Sequence, residues 1–262
     1  MLRLIVCEFA KLKRRRFVLF VILASFLFPI PLTLYLGSGQ HAGEYDSEIR
    51  LFDDLFTFVI GYGVTLLLPC VLGVLAAMLF FSERDNDTFK NLRTIPVTST
   101  QMISAKIMVL FFLGILFCMS STVAAILCGS WIAEVGGIAH KLFLAVEMGI
   151  FVTAGTLPLV ILVVFFSKTY IFSVLLCVFY SVLSMTAESC FGVLPKLICW
   201  LMPIPLITLW SAGDMLRHGM RDSVKGLDDL IPSTFQTALI LGVMAILSVA
   251  LIDYLYKKRG DE

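Results

Sequence analysis

Six apolar runs, each long enough to cross a lipid bilayer, occupy most of this chain: they lie near residues 17–36, 55–81, 107–133, 142–166, 171–194 and 235–256. A spanning helix needs about 20 apolar residues, because the hydrocarbon core is about 30 Å thick and a helix rises about 1.5 Å per residue. Backbone N–H and C=O groups in lipid must pair within their own segment, which leaves the α-helix as the conformation for runs of this length. Composition agrees, with 59% of the 262 residues hydrophobic and 15% charged, where a soluble domain has about 45–50% and about 25%. The expected fold is an all-α integral membrane protein, with residues 1–262 forming a single domain of six transmembrane helices. A net charge of +1 provides no general attraction for nucleic acid. The seven cysteines show no metal-type spacing and sit mostly within apolar runs, where Cys behaves as a small hydrophobe.

A further apolar stretch, "LPKLICWLMPIPLITLW", is broken by Pro195, Pro203 and Pro205, each of which removes a backbone donor and strains a helix. Charge gives an independent test of whether it spans. With six spans both termini share one side, and that side holds 14 of the 20 basic residues: Arg3, Lys11, Lys13, Arg14, Arg15, Arg16, Arg84, Lys90, Arg93, Lys106, Lys168, Lys257, Lys258 and Arg259. The positive-inside rule then places both termini in the cytoplasm. A seventh span would carry "YKKRGDE" to the other face. Residues 195–234 are therefore read as an outer segment, re-entrant or lying on the surface, followed by a loop.

At the N-terminus, Leu2, Ile5, Val6, Phe9 and Leu12 recur at helical spacing, and Arg3, Glu8, Lys11 and Lys13 take the other face. Residues 1–16 are expected to form an amphipathic helix at the membrane interface, held to anionic lipid headgroups by "KLKRRR". The apolar run that follows is too long for a signal-peptide core, and no small-residue cleavage site follows it.

Between the second and third runs lies one compact polar stretch, "FSERDNDTFKNLRTIPVTSTQMISAKI". Phe89, Leu92 and Ile95 are three apart, giving a narrow apolar stripe on a short helix whose other faces carry Arg84, Asp85, Asp87, Lys90, Asn91 and Arg93. Pro96 ends that helix by driving Ile95 out of helical geometry. Thr98, with Gln101 three residues on, has the signature of a capping box for the third span. Residues 82–106 thus read as a stiff cytoplasmic element held at both ends by membrane helices, suited to passing movement from a soluble partner into the bilayer.

This stretch resembles the permease subunits of ABC-2 type exporters at Glu83, Thr88, Leu92, Pro96, Val97, Thr98 or Ser99, and Lys106, although Asp87 stands where that family often has Gly. The N-terminal "EFAKLKRRR" and the "FPIP" of the first run further resemble the lantibiotic-protection branch of the family. The resemblance implies a permease in a bacterial cytoplasmic membrane that pairs with a second permease, the same or paralogous. It implies two copies of a separate ABC ATPase docked on a coupling helix, where Glu83, Arg84, Thr88, Phe89, Leu92 and Arg93 are the expected contacts. ATP and Mg would be bound by that partner and no cofactor by this chain, which has no GxxxxGK[ST] phosphate-binding loop and no soluble region large enough for a nucleotide-binding fold. The implied substrate is an amphipathic antimicrobial peptide taken from membrane lipid; a lipid or another small amphipath is the alternative cargo.

Two other function classes make different demands on the sequence. An intramembrane hydrolase needs HExxH, or a GxSG nucleophile with a histidine in the membrane; neither motif occurs, and His41, His140 and His218 all fall outside the six runs on the outer side. An ion-driven carrier or channel needs ionisable groups near the bilayer midplane. Glu147, Glu188 and Asp253 lie toward the interfaces instead, with Glu147 the deepest. Trp200, Met202 and Trp210 give the outer segment an aromatic, adaptable apolar surface, so these three and Glu147 are the candidate substrate-handling residues. Gly61, Gly63, Gly73, Gly149 and Gly155 are expected to permit close helix approach. The outer loops "GSGQHAGEYDSEIRLFDD" and "AGDMLRHGMRDSVKGLDD" form the polar outer surface.

Overall fold

The structure is a computed structural model that describes residues 2–14, 16–38, 48–85, 98–166, 170–191, 193–220 and 228–260. Eleven α-helices run through the described residues: α1 (Leu2–Arg14), α2 (Phe17–Phe26), α3 (Pro29–Leu36), α4 (Glu48–Phe58), α5 (Thr65–Asp85), α6 (Ser99–Gly129), α7 (Ile138–Phe165), α8 (Tyr170–Ser189), α9 (Lys196–Leu201), α10 (Pro203–Arg217) and α11 (Thr234–Gly260). A π-helical turn, Val59–Val64, joins α4 to α5, and a 3₁₀ turn, Asp228–Leu230, precedes α11. No strand occurs among the described residues. Six helical stretches are long and apolar enough to span a membrane, namely Phe17–Leu36, Glu48–Phe80, Ser99–Gly129, Ile138–Phe165, Ile171–Ser189 and Thr234–Tyr256. The six-span, all-helical fold expected from the apolar runs is the one observed.

Local chemistry explains the element boundaries. The capping box read at Thr98 is present: the Gln101 N–H donates to the Thr98 hydroxyl oxygen at 3.4 Å, and the Thr98 N–H donates to Gln101 Oε1 at 3.3 Å. The "FPIP" sequence splits the first span into α2 and α3, with Pro29 at the start of α3, where its missing donor is harmless. The outer segment also divides at a proline: Pro203 holds Met202 extended (φ −84°, ψ 117°), so α9 stops and α10 begins.

The second span begins earlier than its apolar run suggests. Residues 48–54, read from sequence as part of a polar loop, are the first two turns of α4. Leu51, Phe52, Leu55 and Phe56 form a fully buried stripe, so burial of one face outweighs the local acidity of Glu48, Asp53 and Asp54. A second correction concerns α1. The helix forms as expected, but Glu8, assigned from its spacing to the polar face, is buried. The coupling helix expected over residues 84–95 falls, beyond Asp85, outside the described residues.

The core is built on α5, α6 and α7, whose inward faces (Leu68, Leu72, Leu75, Leu110, Leu113, Phe117, Met148 and Val152) share one apolar cluster. At the crossing of α6 and α7 the two backbones come close: a Cβ on Gly149 would lie 2.7 Å from Ile115 Cα. In contrast, α2, α8 and α11 present rows of large apolar side chains outward, among them Leu19, Leu23, Leu175, Phe179, Val243, Ile246 and Leu247. This is the arrangement of a bundle solvated by lipid rather than water.

Candidate functional site

The sequence directs attention to the end of the bundle where residues 86–97 join α5 to α6, here called the loop end. Glu83 and Arg84 lie in the last turn of α5. Thr88, Phe89, Leu92 and Arg93 lie outside the described residues. What the structure shows is how the two flanks of the loop are held. Lys106, two turns into α6, is 0% exposed. Its ammonium donates to the Leu79 carbonyl of α5 at 2.9 Å and pairs with Glu8 of α1 at 3.2 Å. It also stands 5.6 Å from the centre of the Phe80 ring. Glu8 takes a second cation, Lys11, at 2.5 Å. On the other side, the Thr100 hydroxyl donates to Asp253 of α11 at 3.1 Å, and Phe80 meets Tyr256 edge-on with ring centres 6.3 Å apart.

Four helices are therefore locked together around the loop flanks. Burying an ammonium is unfavourable by several kcal/mol unless it is paired and hydrogen-bonded, so the buried Lys106 depends on these contacts. Asp253 takes part in the same junction.

At the far end, the candidate substrate-handling residues separate. Trp210 is 0% exposed, stacks edge-on against Phe151 of α7 at 4.7 Å and donates its indole N–H to the Thr234 hydroxyl oxygen at 3.0 Å. It pins α10 inside the fold and offers no face to a ligand in this structure. Trp200 and Met202 are half-buried. The Trp200 N–H is donated to the Leu230 carbonyl at 3.0 Å, and the Lys196 ammonium lies 4.8 Å over its ring. Glu147 is also half-buried, on α7, within electrostatic reach of Asp214 on α10. Glu188 accepts a hydrogen bond from the Thr208 hydroxyl at 2.7 Å, which ties α8 to α10.

One polar centre escaped the sequence reading. Lys141, 1% exposed, pairs with Asp53 at 2.6 Å and donates to the Gly136 carbonyl at 2.7 Å. Its ammonium lies 4.5 Å and 5.6 Å from the Phe52 and Phe56 ring centres. Lys141 sits in the first turn of a span and Asp53 in a stretch read as loop, so no local pattern joined them.

A search among curated proteins returned no match. The sequence profile of the ABC-2 family transporter proteins matches residues 4–184, from α1 through most of α8. That stretch contains the clamped loop and covers well over half of the chain. The chain thus belongs to the ABC-2 transporter family as a membrane permease, a class that works with ABC ATPase subunits.

Proposed function

We propose that this permease expels an amphipathic antimicrobial peptide of the lantibiotic class from a bacterial cytoplasmic membrane, as a means of self-protection or resistance. Both termini face the cytoplasm, α1 lies in the interface, and residues 195–234 are re-entrant on the outer side. ATP and Mg are held by two copies of a separate ATPase, and a second permease, identical or paralogous, completes the transmembrane unit. Coupling runs through residues 82–106, with Glu83, Arg84, Thr88, Phe89, Leu92 and Arg93 receiving the ATPase.

The observation that carries this reading is the clamp on the loop flanks. The Lys106 contacts bind α6 to α5 and α1, and the Thr100–Asp253 contact binds it to α11. A force applied to the loop is delivered to four helices together rather than dissipated in a local bend. The peptide cargo is supported by half-buried Trp200 and Met202, whose adaptable apolar surfaces suit an amphipathic ligand.

The test is reconstitution with the partner ATPase in vesicles containing an amphipathic peptide. Leu92→Asp and Arg93→Glu should each abolish ATPase co-purification, or leave ATP hydrolysis no longer accelerated by peptide, while the permease still inserts. Normal association and transport in both variants would overturn the coupling role. Transport on an imposed ion gradient with no ATPase present would overturn the exporter reading.

A further inference from the structure

The far end of the bundle carries a constellation that the exporter reading does not use. The chain enters α7 through Gly137, whose positive φ of 63° sets the first turn, and that turn delivers His140. Along α7, α10 runs in the opposite direction. A Cβ on Gly155 would lie 3.0 Å from Pro203 Cβ, Trp210 meets Phe151, and Asp214 reaches His140. His218 follows Asp214 by four residues, so the two share a helix face.

Three donor groups converge as a result. His140 Nε2 lies 3.1 Å and His218 Nδ1 3.6 Å from Asp214 Oδ2, and the imidazoles stack with centres 3.7 Å apart and planes inclined by 26°. One ring nitrogen from each histidine and one oxygen of Asp214 lie within 4.8 Å of one another. We propose that His140, Asp214 and His218 bind one divalent transition-metal ion of the zinc class.

Several observations favour an ion over a simple ion pair. His140 Nε2 and Asp214 Oδ2 are both buried, and although they lie 3.1 Å apart neither has a well-aligned hydrogen bond. Buried polar atoms without partners are uncommon and unfavourable. A single cation between them satisfies both. Ligands bonded to zinc at about 2.0–2.1 Å in a tetrahedron stand about 3.3 Å apart, close to the 3.1 Å between His140 Nε2 and Asp214 Oδ2. With its proton on Nδ1, His218 donates to the Asp214 backbone carbonyl at 2.9 Å, which leaves Nε2 as its metal-binding nitrogen. That is the second hydrogen bond through which metal-binding imidazoles are commonly oriented.

The surroundings fit a dication. Glu147 adds a nearby carboxylate, and the neighbouring Lys141 has its charge engaged by Asp53. Two imidazoles and one carboxylate select zinc, nickel, cobalt or copper over magnesium and calcium, which prefer oxygen ligands throughout. The half-exposed ring of His218 leaves room for water at a fourth position. Once bound, the ion fastens the outer end of α10 to the start of α7.

The experiment uses the full-length permease in detergent, stripped with a chelator and titrated calorimetrically with Zn²⁺, then separately with Mg²⁺ and Ca²⁺. Expected are one Zn²⁺ per chain, a higher thermal unfolding temperature with Zn²⁺, and no binding of Mg²⁺ or Ca²⁺. His218→Ala, at an exposed position that adds little to packing, should weaken Zn²⁺ binding by about 100-fold or more, beyond the roughly 10–100-fold of a lost outer-shell contact. Asp214→Asn should do the same. Absent Zn²⁺ binding, or Zn²⁺ affinity unchanged in both variants, would overturn the proposal. Neither ATPase nor peptide takes part, so the outcome is independent of the exporter assignment.

Discussion

Lys106 and Lys141 mark opposite ends of the bundle, and both keep a full charge away from water with the same kinds of contact: a carboxylate, a backbone carbonyl and an aromatic face. Breaking a buried ion pair by removing one member is destabilising by about 3–5 kcal/mol, whereas replacing the whole pair with apolar groups is often neutral. Glu8→Ala should therefore lower the unfolding temperature of the purified permease markedly, and Glu8→Ala combined with Lys106→Met should recover most of the loss. Equal destabilisation in the single and double variants would show that the pair is not the source. Lys106 was legible in the sequence as a family position, but its partner was not. Glu8 lies 98 residues away, on the helix face that spacing alone assigns to water.

Among the elements, the α6–α7 pair depends on missing side chains. Gly114 and Gly149 face one another, and a methyl group on Gly149 would press on the backbone of Ile115 rather than on a side chain able to swing aside. Gly149→Ala should lower stability by about 1–3 kcal/mol. Gly242→Ala in α11, where the added atom meets open space, should leave it unchanged; thermal unfolding in the same detergent compares the two. Helix packing by Gly149 and Gly155 was foreseeable from small residues in an apolar run. The Thr98 start was legible because a capping box is a local pattern. The early start of α4 was not, because its stripe of buried residues is interrupted by acids whose partner, Lys141, is distant in sequence.

For the whole molecule, the apolar runs and the distribution of basic residues were enough to read six spans and the proline-broken segment. Three prolines show that a helix breaks, but they do not show where its pieces pack, so the roles of Trp200 and Trp210 could not be separated beforehand. Their substitution should now give different results. Trp210→Ala, which empties a fully buried site, should destabilise the permease by about 3–5 kcal/mol, seen as poor yield and early thermal unfolding. Trp200→Ala should leave folding and ATPase association intact while reducing export of an amphipathic peptide. Parental export by Trp200→Ala across a range of peptide concentrations would remove it as a substrate contact.

The position of the Gly114–Gly149 contact within α6 also has a mechanical consequence. Gly114 is the middle residue of Ser99–Gly129, which leaves an arm of about 22 Å on either side at about 1.5 Å per residue. One arm ends among Thr100, Lys106 and their partners, and the other at Gly129 against the ring of Phe52, the same ring that faces the Lys141 ammonium. A stiff rod resting on its midpoint is an equal-armed seesaw. A rigid α6 turning on this contact would move its two ends by equal amounts in opposite directions.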